Sequence, residues 1–142
     1  MDKIVYNNID LNLYDFNYFQ SKDKIEMTFL SMSDGNEVLN ICCNEILLLL
    51  TSKLVIRKND EYISYYIGEV TVEEVSKKNA LLILNSSNYL IQGIAELNEI
   101  LPNIVYSIKI VSGSIDVLII CNSLIINDFI HPKNNFSSYI MI

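Results

Sequence analysis

A chain of 142 residues, 51% hydrophobic and 19% charged, with four glycines, two prolines and no tryptophan, has the length of one domain and the apolar content to build a core. Those figures exclude global disorder and the collagen-like, low-complexity and disulfide-framework classes. Ten basic against seventeen acidic residues give a formal net charge of −7, which disfavours nucleic acid and anionic membrane surfaces and favours a basic protein partner.

The N-terminal residues Met1 to Asn8 show no basic segment followed by an apolar one. An acidic–aromatic cluster comes next: Asp10, Tyr14, Asp15, Phe16, Tyr18 and Phe19. From Lys24 to Met32 alternation sets Ile25, Met27 and Phe29 on one strand face and Glu26 and Thr28 on the other. Ser33-Asp34-Gly35-Asn36 reads as a tight turn in which Gly35 supplies positive φ. Glu37 to Cys43 and the run Ile46 to Leu50 form a strand buried on both faces. No uninterrupted apolar stretch is longer than that run, which is far below the ~20 residues that span a bilayer, so no membrane segment is expected and a cytoplasmic location is.

Leu54-Val55-Ile56 continues the strands, and Lys58-Asn59-Asp60 turns the chain. Tyr62 to Val72 is a long β-type segment interrupted at Gly68, and Ala80 to Leu84 gives another short strand. Leu90, Ile94, Leu97 and Leu101 then recur at helical spacing, which predicts one amphipathic helix over residues 87–101 that ends before Pro102, with Glu96 and Glu99 in water. Ile104 to Ile110 and Ile115 to Cys121 make a hairpin around Ser112-Gly113-Ser114. His131-Pro132 turns the chain, and Phe136 to Ile142 docks as an edge strand.

At an offset of 79, Ile25, Ser33, Val38, Leu39, Ile41, Cys42 and Ile46 coincide with Ile104, Ser112, Val117, Leu118, Ile120, Cys121 and Ile125. The echo raises an internal duplication of a hairpin. The fold class that follows is α+β: one domain over residues 1–142, mostly antiparallel sheet arranged as a sandwich or a partly closed barrel, with one helix.

Chemistry-bearing groups are sparse. His131 is the single histidine and sits in a turn, where a surface role is expected. Cys42, Cys43 and Cys121 fall in apolar strands and read as reduced core thiols. Phosphate-binding loops and zinc spacings are missing, so neither a cofactor nor a metal is expected. Asp34, Glu37 and Asp116 converge only if the two hairpins pair suitably. The most acidic stretch holds Asp60, Glu61, Tyr62, Tyr65, Tyr66, Glu69, Glu73 and Glu74. Tyrosines anchor interfaces and carboxylates steer a basic partner, so these eight residues are the candidate partner-binding set. As one strand the segment places Glu61, Ile63, Tyr65, Ile67, Glu69, Thr71 and Glu73 on one face.

A small, acidic, single-domain chain with reduced cysteines and no catalytic set resembles the immunity proteins of bacterial toxin systems, including contact-dependent growth inhibition. The resemblance lies in overall character across the chain. It implies a non-enzymatic cytoplasmic inhibitor that binds one cognate toxin domain, often a basic nuclease, and occludes its active site. A type III secretion chaperone or other small acidic protein-binding module is the alternative, and a carboxylate-dependent enzyme the second. The predominance of strands over helices speaks against the chaperone.

Overall fold

The computed structural model describes residues 2–7, 10–52, 65–86, 99, 101–112 and 116–138. Within them the chain forms β1 (Lys3–Tyr6), β2 (Leu11–Phe19), β3 (Lys24–Ser31), β4 (Glu37–Ser52), β5 (Tyr65–Ile67), β6 (Glu69–Ser76), α1 (Lys77–Ser86), β7 (Ile104–Val111), β8 (Asp116–Asp128) and β9 (Phe136–Ser137). The alternation read from β3 is realised: Ile25, Met27 and Phe29 are fully buried, while Glu26 and Thr28 are half-buried on the other face. Gly35 adopts φ 74° in the turn that follows, where its amide donates to the Ser31 carbonyl at 2.9 Å.

Among the described residues all strand pairs are antiparallel, in one sheet of order β1-β6-β7-β8-β4-β3-β2-β5, with β9 added to β8. The end strands β1 and β5 do not pair, so hydrogen bonding does not close a barrel. Covalently one end strand meets the neighbour of the other. β5 runs into β6 through Gly68 alone, and the sheet must coil until β5, on β2, reaches β6, on β7. Gly68 suits that junction: its amide donates to the Val111 carbonyl at 3.1 Å, and a Cβ there would lie 3.3 Å from the same oxygen.

Two apolar layers result. The inner one, enclosed by the coil, contains Leu11, Met27, Phe29, Ile41, Val72, Ile108, Ile119 and Leu124. The second lies on the outer surface, where Ala80 and Leu84 of α1 and Leu101 cover Leu48, Val75, Val105 and Ile120. Full burial of a side chain such as Leu84 contributes roughly 2 kcal/mol.

The helix corrects the sequence reading. Ala80 to Leu84, expected as a strand, belongs to α1: Ser76 Oγ accepts the Asn79 amide at 3.3 Å as an N-cap, Ala80 and Leu84 are buried four residues apart, and Leu82 is exposed. An apolar run of this length carries no period that separates helix from strand. The helix expected over residues 87–101 falls almost wholly outside the described residues, as do the strand at Leu54-Val55-Ile56 and the turn at Lys58-Asn59-Asp60. Glu99 is helical and exposed, as expected, and Leu101 is buried.

The echo has a structural counterpart in part. The offset of 79 carries Asn44 onto Ser123, and these two are register partners in the β4–β8 pair, so the hairpins β3–β4 and β7–β8 meet about an approximate two-fold there. Matched side chains are not equivalent. Ile41 faces the inner core and Ile120 lies under α1, while Ile25 is fully buried and Ile104 is 47% exposed.

Candidate protein-binding surface

Of the candidate set, Asp60, Glu61 and Tyr62 lie outside the described residues. Tyr65 and Tyr66 are placed by backbone alone, opposite Leu13 and Asn12. β6 carries the other three. Val70 and Val72 fill the inner core, so alternation puts Glu69, Thr71 and Glu73 together on the outer face. Thr71 Oγ1 donates to Glu69 Oε1 at 3.2 Å. Glu74 points the other way, beside its register partner Tyr106, whose pKa is raised by burial first and by the Glu74 charge second. Ile67, expected to share the face of Glu69, is instead buried, because the break at Gly68 resets the alternation.

Two lysines lie on the strands that flank the acidic row on β6. Lys3 of β1 is the register partner of Glu73, and Lys109 of β7 is that of Thr71, between the two glutamates. Neither lysine is near them in sequence; pairing brings both across.

The other acidic–aromatic cluster sits on β2. Leu11 and Leu13 are buried, and a bulge at Tyr14 then shifts the pairing from Leu13–Phe29 to Asp15–Thr28. Beyond it Phe16 packs against the inner core, while Tyr14, Tyr18 and Phe19 are 49%, 45% and 39% exposed. Asp15, Asn17 and Phe19 stand opposite Thr28, Glu26 and Lys24 of β3, and that row continues onto Asn40, Cys42 and Asn44 of β4. The face is knitted by short polar contacts: Asn17 Nδ2 to Asp15 Oδ2 at 2.7 Å, Asn40 Nδ2 to Thr28 Oγ1 at 3.3 Å, and a Lys24–Glu26 ion pair at 2.7 Å. Residues 10–52 hold seven carboxylates and two lysines, a net charge of −5 out of the chain's −7.

Two buried clusters are structural. Asp128, 3% exposed, accepts the Ile130 and His131 amides on Oδ1 at 2.9 and 2.7 Å and Asn134 Nδ2 on Oδ2 at 3.0 Å. It clamps the turn after β8, and His131, exposed as expected, contributes its backbone. The Tyr6 hydroxyl lies beside Asp128 without a hydrogen bond of good geometry; burial, then the Asp128 charge, push its pKa well up. Nothing in the sequence marked Asp128, because its donors lie in a turn whose shape is set by the clamp itself.

Cys43 and Cys121 are fully buried, with their thiols hydrogen-bonded to each other. That bond, then burial, holds Cys43 well above the ordinary thiol range. Burial also raises Cys42, in spite of nearby Lys24. All three thiols are free, and the raised values of Cys42 and Cys43 make those two poor nucleophiles. Asp34 and Glu37 do not converge with Asp116: Glu37 opens β4 and Asp116 pairs with Ser52 at its far end. Among the described residues no acidic, cysteine or histidine group is placed to hold a metal, and no helix is long and apolar enough to cross a membrane.

No protein-family model matches the chain, and no curated protein matches it. Among solved structures, the fold is similar to the crystal structure of an uncharacterized protein from Neisseria gonorrhoeae, with a TM-score of 0.57 and 14% identity over 89% of this chain and 98% of that one. At that identity the likeness concerns the fold.

Proposed function

We propose that this chain is a non-enzymatic inhibitor, an immunity protein that neutralises a cognate bacterial toxin domain by occluding its active site. The observation that carries the reading is the set of exposed aromatics on β2, Tyr14, Tyr18 and Phe19, in a segment with a net charge of −5. Large aromatic side chains that stay half-exposed on a regular strand lose little conformational freedom on docking and bury much area, which is why they anchor interfaces. Carboxylates around them raise the encounter rate with a basic surface and disfavour other partners. The reading puts the chain in the cytoplasm, where its thiols stay reduced.

Occlusion needs no chemistry from this chain. The aromatic groups pack into or around the toxin's cleft, and the carboxylates take the place of an anionic substrate in the basic site. The test is association kinetics with the product of the adjacent upstream gene as the toxin. Between 50 and 300 mM salt the on-rate is expected to fall about tenfold or more while the off-rate changes little. An on-rate independent of salt contradicts electrostatic capture.

A further inference from the structure

We infer that the partner-facing surface is the exposed part of β2 together with the outer face of β2 and β3, rather than the acidic row on β6, and that its occupant is a cationic domain of another protein. The inference rests on the inhibitor reading and names the surface that would serve it.

The sheet has two faces, and parts of both are covered. The inner face is the core, and α1 covers the outer face over Leu48, Val75, Val105 and Ile120. The outer face of β2 and β3 has no such cover among the described elements. Its rim is aromatic at Tyr14 and Phe19, with Met32 52% exposed at the end of the same hairpin, its amide on the Asp10 carbonyl; Tyr18 is exposed from the opposite face of β2, paired with Ile25. Its middle is small and polar, with Asn17, Thr28 and Asn40 presenting hydrogen-bonding groups between the anchors. Aromatic groups beside a polar, hydrogen-bonding surface are the composition of a docking face.

Charge selects the occupant. On β6 the two outward glutamates are flanked by two lysines, Lys3 opposite Glu73 on β1 and Lys109 opposite Thr71 on β7. Around β2 and β3 one of the two lysines, Lys24, is held by Glu26, while Asp15, Asp23 and Glu45 remain on the exposed surface. Asp23 and Glu45 stand together, since the Glu45 amide donates to the Asp23 carbonyl at 2.9 Å. Among the described residues, a cation approaching β2 and β3 therefore meets an excess of carboxylates beside the aromatic anchors.

Two experiments test this. Deca-lysine titrated into the isotope-labelled chain at low salt is expected to shift amide resonances of residues 14–28 most; shifts centred on residues 69–73, or spread evenly, overturn the inference. With the upstream gene product as toxin, Tyr14→Ala with Phe19→Ala is expected to weaken binding at least tenfold, and Glu69→Lys with Glu73→Lys to change it less than twofold. The reverse pattern overturns the surface and leaves the inhibitor reading standing. A wild-type chain that does not bind the toxin removes the inhibitor reading and the named occupant, whatever deca-lysine does.

Discussion

The side-chain amide of Asn122 donates to the Glu45 carboxylate at 2.9 Å, over the point where both central strands lose their alternation. Cys43 and Ile46 of β4, three residues apart, both face the inner core, as do Cys121 and Leu124 of β8. Glu45 makes the kink possible by adopting φ 57°, a conformation unfavourable for a side chain by about 1 kcal/mol. Glu45→Gly removes that strain and the hydrogen bond together, so stability is expected to stay within about 1 kcal/mol of the wild type. Glu45→Val keeps a Cβ and adds branching, and is expected to lose about 2 kcal/mol. Urea unfolding of the two variants checks the pair; equal stabilities would contradict the account.

Asp128 is the buried charge on which the C-terminal turn depends. Asp128→Ala leaves the Ile130 and His131 amides and the Asn134 side chain without their acceptor, and is expected to cost about 3 kcal/mol. Tyr6→Phe removes a buried hydroxyl that has no well-formed hydrogen bond, and should be neutral or slightly stabilising. Thermal or urea denaturation of both variants reads the contrast. A large loss for Tyr6→Phe would show that its hydroxyl is bonded to Asp128.

Alkaline pH should weaken the fold. Cys42, Cys43 and Tyr6 all have raised pKa values, so they stay protonated in the folded chain after the unfolded chain has begun to ionise. Below the unfolded thiol value of about 8.5 both states are protonated and the stabilisation is complete. Above it the unfolded state binds fewer protons than the folded one, and stability falls as pH rises, first through the thiols and from about pH 10 through Tyr6 as well. The urea midpoint should drop steadily from pH 8 to 10.5, and Cys43→Ala should flatten the first part of that slope. A midpoint that does not move with pH contradicts the thiol assignments.

At Gly68 the Cβ of an added alanine would press on the Val111 carbonyl oxygen at 3.3 Å, where β5 runs into β6. Gly68→Ala is therefore expected to cost less than about 1 kcal/mol, by a small shift of β7, and Gly68→Val about 2 kcal/mol or more through overpacking. Denaturant titration of both variants measures the step between them. No difference would mean that the junction is looser than this contact implies.

What the sequence disclosed is what depends on near neighbours. The alternation in β3, the turn at Gly35, the break at Gly68 and the second hairpin are all legible, because each needs only a period of two or a residue that tolerates positive φ or close approach. The errors arise where distant pairing decides. Ala80 to Leu84 is helical because its apolar pair, Ala80 and Leu84, meets Leu48 and Ile120 on strands far away in the chain. The bulge at Tyr14 and the kink at Glu45 shift which side chains face inward, and neither leaves a local mark. The acidic–aromatic composition of both clusters was visible from the start. Which lysines flank the β6 row was not, since Lys3 and Lys109 come alongside it only through the register of β1 and β7.

The measurement that bears most directly on the proposed function is growth of cells producing the adjacent upstream gene product, with and without this chain, followed by isolation of the complex. The account predicts that this chain restores growth and that the two proteins purify as a one-to-one complex that high salt slows in forming. Growth arrest that persists when both are produced, with no complex recovered, would contradict it.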